Sequence, residues 1–432
     1  MNLKPAILPW LIWVLSALFV VFNYIHQVVP DVIGIDLSQA YRASESTLGN
    51  IAAAYFYAYA ILQIPVGLIF DQYGTRRPLV LAILIAGLAT LGFAMAPDAA
   101  SALIARFIMG AGSAFSFIGC LKLVQEWFPP SRFSTLAGMT NTAGMIGAAG
   151  GAPLALLVNH FGWRATLFGI GVAQLVLAAL VFLIVRDRKG SSEKAVAGNL
   201  PPAPSSGGIF GLIKNPQVWL NAIYATGISL IFVAFGGLWG GDYIQKKFNL
   251  TGESAADIGS LLFIGGIVGS IFFGWWSDFL QRRKLPMILA GAGALMTMAC
   301  LLYIPDIPLF GFQAGLLTVG FFSSANIVSY AVAHDLYPRL AGLSIGFLST
   351  CFYAGSAASQ PLVGLLLRKA SPDSLTLLSA ANYQYAFFPL IVFMGAGLIA
   401  SLLLKETLGA ARLDGSAATV AARLPDGDFD AH

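Results

Sequence analysis

Charge is scarce in this chain. Only 10% of its 432 residues are Asp, Glu, Lys or Arg, while 57% are hydrophobic. A water-soluble domain carries roughly 25% charged residues, so most of this surface is not built to face water. Histidine and cysteine are rarer still, at four and three residues. Cys120, Cys300 and Cys351 are odd in number and lie in apolar stretches, so they read as small packing residues rather than a disulfide framework or metal site. The histidines have no zinc spacing, and there is neither a phosphate-cradling Walker loop nor a nucleophile elbow. The sequence therefore implies no enzyme and no cofactor, and energy must come from an ion gradient or the solute's own gradient.

What fills the chain instead is long apolar runs, with a mean hydropathy of +0.78. They read near 8–30, 48–70, 79–96, 101–124, 134–158, 165–185, 217–240, 256–276, 286–304, 308–333, 341–367 and 385–404. A bilayer core of about 30 Å needs about 20 helical residues per crossing. The expected fold class is an all-α membrane protein with twelve transmembrane helices. Lys4 precedes the first run like the charged start of a signal peptide. The run is too long for that and lacks a small-residue cleavage site, so it reads as a retained helix.

Basic residues alternate between loops. Arg76, Arg77, Arg132, Arg186, Arg188, Lys189, Lys194, Lys214, Arg282, Arg283, Lys284 and Arg339 fall on one side. Only Arg42, Arg164, Lys246, Lys247, Arg368 and Lys369 fall on the other. The positive-inside rule then puts both termini in the cytoplasm. These charges sit in separated loops rather than one stripe, which argues against a nucleic-acid surface, and a monomer in the bilayer is expected.

The chain repeats itself. GLIFDQYGTRR at 67–77 returns as GWWSDFLQRRK at 274–284, with Gly67 matching Gly274, Asp71 matching Asp278 and Arg76-Arg77 matching Arg283-Lys284. Leu136-Ala137-Gly138 and Leu340-Ala341-Gly342 each follow a Pro and an Arg, and each opens a long helix of small residues. A repeat of charged, tight connections between apolar helices signals a transporter built from two equivalent halves. The expected divisions are a six-helix bundle at 1–185, a flexible Pro/Ser/Gly-rich linker at 186–216, a second bundle at 217–405 and a disordered tail at 406–432.

The 67–77 segment fits G-x-x-x-D-x-x-G-x-R-R, the loop signature of the major facilitator superfamily, through Gly67, Asp71, Gly74, Arg76 and Arg77. The second copy keeps Gly274, Asp278, Arg282 and Arg283 but carries Leu280 where glycine is expected, so its turn is expected to differ. The resemblance implies that fold, with two pseudo-symmetric six-helix bundles, and implies that Asp71 braces the outward-open state against segment eleven. RFIMGAGSA, starting at Arg106, is similar to the family's R-x-x-x-G-x-G-x-A pattern in segment four. Gly144, Gly147, Gly150, Gly151 and Pro153 resemble the antiporter motif of segment five without its Gly-Pro dipeptide. Longer stretches such as CLKLVQEWFPPSRF resemble bacterial permeases of the sugar-phosphate and organic-anion type. Those for sugar phosphates carry an Arg in segments one and seven; this chain has neither, which argues against an organophosphate.

Polar residues within apolar segments are the candidate substrate contacts. Asn23, His26, Gln27 and Pro30 follow i, i+3, i+4, i+7 along segment one, with Tyr24 adjacent. His26 reads either as a hydrogen-bonded structural residue or as a proton relay. Arg106 reads as a coupling or substrate residue, or as an interfacial anchor that snorkels. Lys122 either pairs with Glu126 one turn on or faces an inner cavity and attracts a carboxylate. Asn141, Trp239, Asn326, Tyr330 and Gln360 add neutral hydrogen-bonding groups. The expected function is secondary transport of a small carboxylate-bearing metabolite (an organic anion, amino acid or peptide, or carboxylate siderophore) by alternating access, with proton-coupled uptake. The alternatives are proton-driven efflux of drugs or metabolites and a membrane sensor that has kept a transporter fold.

Overall fold

The computed structural model describes residues 7–42, 45–149, 151–187, 208–370 and 379–408. Most of the expected linker and all but the start of the expected tail lie outside the described residues. Among the described residues, twelve helices are long and apolar enough to cross a membrane. In lipid a helix satisfies its own backbone groups, which is why such runs form helices whatever their local propensity. In the first half these are α1 (Leu8–Tyr41), α2 (Glu45–Tyr73), α3 (Arg76–Ala94), α4 (Ala99–Trp127), α5 (Pro130–Phe161) and α6 (Trp163–Ile184). The second half holds α7 (Pro216–Gly237), α8 (Gly252–Leu280), α9 (Lys284–Tyr303), α10 (Leu309–Leu336), α11 (Pro338–Ala370) and α12 (Ala380–Leu403).

The halves mirror one another in detail. Both α5 and α11 open with a short 3-10 turn, Pro130–Arg132 and Pro338–Leu340. Each third helix is capped by a carboxylate that follows the sixth helix of its half. Asp187 accepts from the Thr75 and Arg76 N–H groups at 3.1 and 2.8 Å, and Glu406 accepts from those of Arg283 and Lys284 at 2.7 and 3.2 Å. These residues fall in the expected linker and tail, yet they are tied to their bundles because helix N-termini leave N–H groups that carboxylates satisfy.

The two copies of the tight connection also share a backbone, against the expectation from Leu280. Gly74 has φ 77°, and Gln281 has φ 52° at the equivalent place. Gln281, not Leu280, occupies the glycine position, and it holds the left-handed conformation despite its Cβ, with its side-chain amide donating to the Asp278 carbonyl at 2.6 Å. The turn therefore survives without glycine, at a cost of about 1–2 kcal/mol.

Two helices run differently from the simple segments read in the sequence. Helix α1 continues through Pro30 to Tyr41. Helix α7 widens into a π-helix over Ile231–Trp239 and runs on as Gly240–Phe248. The halves meet along α2 against α11 and α5 against α8. Small residues permit this: a Cβ on Gly342 would meet the Gly67 carbonyl oxygen at 2.5 Å, and one on Gly274 would meet the Ser134 carbonyl carbon at 3.0 Å.

Candidate functional site

The motif face, where α2 and α8 end, is sealed by the two repeated aspartates. Asp71 accepts from the backbone N–H groups of Gly342 and Leu343 at the start of α11, at 3.0 and 2.8 Å. Its counterpart Asp278 accepts from the Ser134 and Thr135 N–H groups at the start of α5, at 3.4 and 2.7 Å, and from the Thr135 hydroxyl at 2.7 Å. A carboxylate at a helix N-terminus meets unsatisfied N–H groups and the positive end of the helix dipole. Each aspartate thus ties its own half to the other.

Cations hold both aspartates in place. The Lys122 ammonium lies 2.9 Å from Asp71, with both side chains buried. This differs from both expectations for Lys122, since it faces neither a cavity nor Glu126. Glu126 instead accepts from the Thr75 hydroxyl. Arg283 reaches Asp278 at 2.6 Å and Asp335 at 3.1 Å, and donates to the Ser134 hydroxyl at 2.8 Å. His334 approaches the other Asp335 oxygen at 3.1 Å and stacks on Phe133 of the opposite half at 4.6 Å. Arg76 turns outward from this latch, donating to the Phe182 carbonyl at 2.5 Å with its guanidinium over the Phe182 ring. Arg77 is exposed, and the Ser277 hydroxyl donates to the Arg282 carbonyl at 3.0 Å.

Midway along the bundle, between the halves, lies a cavity of about 60 Å3 lined by Tyr24, Tyr59, Phe117, Asn141, Asn326, Ile327, Tyr330, Ser349, Phe352 and Tyr353. It is far below the roughly 300 Å3 of an open ligand site, so the walls are drawn together here. Asn141 donates to Ser270 at 2.9 Å across the interface, and Asn326 donates to Ser229 at 2.7 Å within its own half. Tyr59 meets Tyr353, and Phe117 meets Tyr330, each with ring centroids 5.0 Å apart across the halves. Thr142 donates to the Ile267 carbonyl at 3.2 Å, also across the halves. Hydrogen bonds and ring contacts between the motif face and this level join the two halves.

Of the expected substrate contacts, Tyr24, Asn141, Asn326 and Tyr330 come together on this wall. The others go elsewhere. His26 is fully buried inside the first half, with Nε2 3.2 Å from the Thr90 hydroxyl, which donates onward to the Ala86 carbonyl and also lies 3.1 Å from Gln174. Asn23 is buried beside it, accepting from the Tyr55 hydroxyl and, at 3.3 Å, from Gln27. The helical stripe therefore turns into the first bundle rather than toward the cavity.

Arg106 is also fully buried and does not snorkel. The cause is Pro30, which has no N–H to give the carbonyl of His26, four residues back. Arg106 supplies that bond at 2.8 Å, and its guanidinium lies 4.7 Å over the Tyr55 ring. Trp239 and Gln360 pair within the second half: the indole donates to the Gln360 carbonyl at 3.2 Å, and the Gln360 amide donates to Val233 in the π-helix at 3.3 Å. Sequence reasoning missed Tyr59, Phe117, Phe352 and Tyr353. An aromatic residue in an apolar helix carries no signal of which face it occupies.

The geometry is that of two equivalent bundles around a central cavity, latched at one end, and comparison with known proteins agrees. The family model described as Major Facilitator Superfamily matches residues 12–242 and 235–424. The chain is 24% identical over 437 residues to the probable galactarate/D-glucarate transporter GudP of Bacillus subtilis, covering 93% of this chain and 91% of that one. It is 23% identical over 421 residues to the probable sulfoacetate transporter SauU of Cupriavidus necator, covering 93% and 95%. It is 24% identical over 387 residues to the membrane sensor protein UhpC of Escherichia coli, covering 84% and 83%. In structure it resembles the proton:xylose symporter XylE bound to 6-bromo-6-deoxy-D-glucose, with TM-score 0.69, 13% identity and coverage of 95% and 99%, a likeness of fold. The repeated aspartate latch, the twelve helices and these matches together make this chain a secondary transporter belonging to the Major Facilitator Superfamily.

Proposed function

We propose that this chain carries a small organic acid together with a proton, by alternating access, with the motif face in the cytoplasm of a bacterium. The observation that carries the reading is the chemistry of the cavity. Its described lining offers rings, amides and hydroxyls, and no charged side chain. A bare carboxylate drawn out of water into such a wall loses its hydration without gaining a cation, a penalty of several kcal/mol. A proton taken up with the acid removes that charge. Two of the relatives compared are named as transporters of organic acids, and the loop charges favour both termini inside.

In this reading the latch defines the cycle. Asp71 and Asp278 hold the cytoplasmic side shut, and we assign this arrangement to the outward-facing half of the cycle. Breaking both aspartate contacts lets the helices that meet at the motif face separate and exposes the cavity to the cytoplasm.

The test is uptake into proteoliposomes holding the purified full chain, with labelled organic acids that include both open-chain and ring compounds. An inside-alkaline pH gradient should drive accumulation, and a protonophore should abolish it. Saturable uptake that ignores the gradient would refute proton coupling. A second reading, a membrane sensor, has the name of one relative in its favour. It predicts saturable binding of an acid by the purified chain with no flux in the same vesicles.

A further inference from the structure

The cavity wall is mostly aromatic. Tyr59 and Tyr353 meet edge to face at an interplanar angle of 72°, and Phe117 and Tyr330 at 66°. Each pair takes one ring from each half, so the rings close on one another when no substrate is between them. Tyr24 and Phe352 extend the same wall. The two amides are committed in one direction: Asn141 and Asn326 each give their NH2 to a serine hydroxyl. What each amide has left for a ligand is its carbonyl oxygen, an acceptor that calls for a donor, and one further N–H.

Seating a substrate here requires the ring pairs to separate. Each pair then loses an edge-to-face contact, and only a ligand with its own ring can replace those contacts. A flat ring also fits a slot that opens from a nearly closed state better than a puckered ring or a branched polyol does. We propose that the substrate is a planar aromatic carboxylic acid, its ring held between the Tyr59–Tyr353 and Phe117–Tyr330 pairs, with a ring hydroxyl donating to Asn141 or Asn326. This inference rests on the organic-acid reading above and narrows it.

Three probes separate the possibilities in the proteoliposome assay under an inside-alkaline gradient. These are 4-hydroxybenzoate, trans-4-hydroxycyclohexanecarboxylate (the same charge and hydroxyl on a puckered ring) and gluconate, an open-chain acid. Uptake of 4-hydroxybenzoate should saturate at a concentration about tenfold lower than that of the cyclohexane acid, the effect expected from two ring contacts. Gluconate should not compete. Phe117→Leu should shrink the tenfold preference to about threefold, and Phe117→Tyr should keep it, as expected when one of the two ring contacts is lost or retained. The wild-type preference stands as a test even if a variant fails to fold.

Equal uptake of the flat and puckered rings, or transport of gluconate or other open-chain acids while 4-hydroxybenzoate is neither carried nor competes, overturns the proposal and leaves organic-acid transport standing. A flat-ring preference untouched by Phe117→Leu overturns the seat assigned to the ring. If no acid of either class is carried, the organic-acid reading itself fails and the aromatic one with it.

Discussion

Replacing Asp71 with Asn tests the latch where its parts are best defined. Asp71 accepts two backbone hydrogen bonds from the first turn of α11 and holds the Lys122 ammonium. Asparagine keeps one acceptor oxygen but loses the charge, and its NH2 now faces a donor. A hydrogen bond to a charged group contributes about 1.5–3 kcal/mol, and a charge at a helix N-terminus about 0.3–1 kcal/mol. Allowing for the acceptor that remains, the closed motif face loses about 3 kcal/mol, a shift of roughly a hundredfold toward the state open at that face. Spin labels on cysteines replacing the exposed Arg77 and Arg339, in a background without native cysteines, report the separation of the halves at this face. Asp71→Asn should move the distance distribution to longer values and cut transport strongly while membrane expression holds. Lys122→Met in the same background removes the cation left buried without its carboxylate, so it should recover thermal stability without restoring the short distance. An unchanged distance distribution with wild-type transport would refute the latch.

Further outcomes follow from local geometry. Gly342→Val places a Cβ 2.5 Å from the Gly67 carbonyl oxygen and 2.8 Å from the Asp71 carboxylate, so the motif face should fail to close, and the same spin labels should report only the long distance. Gln281→Gly removes the left-handed strain of about 1–2 kcal/mol but loses the amide bond to Asp278, for a net gain of about 0.5 kcal/mol that a thermal unfolding scan should show. Arg106→Met should destabilise the first bundle by about 1–3 kcal/mol, because the His26 carbonyl loses its donor. Adding Pro30→Ala restores a backbone N–H to that carbonyl, so part of the lost melting temperature should return; strict additivity of the two changes would contradict the compensation.

The parts of the fold set by bulk physics were legible in the sequence. Apolar runs about 20 residues long must be helices in lipid, and the twelve runs correspond to the twelve spans. The repeated Gly67–Asp71 and Gly274–Asp278 pattern located the latch because both halves use the same chemistry there. Partner choice was not legible. Lys122 has Glu126 one turn away along its own helix, yet it pairs with Asp71 on α2, since tertiary packing decides which carboxylate is near. Periodicity placed Asn23, His26 and Gln27 on one face but could not say that this face turns into the first bundle. Arg106 read as a coupling or substrate residue or a snorkelling anchor, and nothing in its own segment said that Pro30 leaves the His26 carbonyl free to accept from it. The ring pairs of the cavity join residues distant in sequence, and a single sequence carries no sign of such pairing.

The central claim is that acid and proton cross together through a neutral cavity, and proton movement itself tests this most directly. Vesicles holding the purified chain, in a weakly buffered medium with a pH dye outside, receive a pulse of a carried acid with no gradient imposed. The account predicts that the outside medium turns alkaline as the acid enters, by one proton for each carboxylate. It also predicts that clamping the membrane potential with potassium and valinomycin leaves the initial rate unchanged. Uptake of the same acid with no alkalinisation, or with a rate that follows the clamped potential, would contradict it.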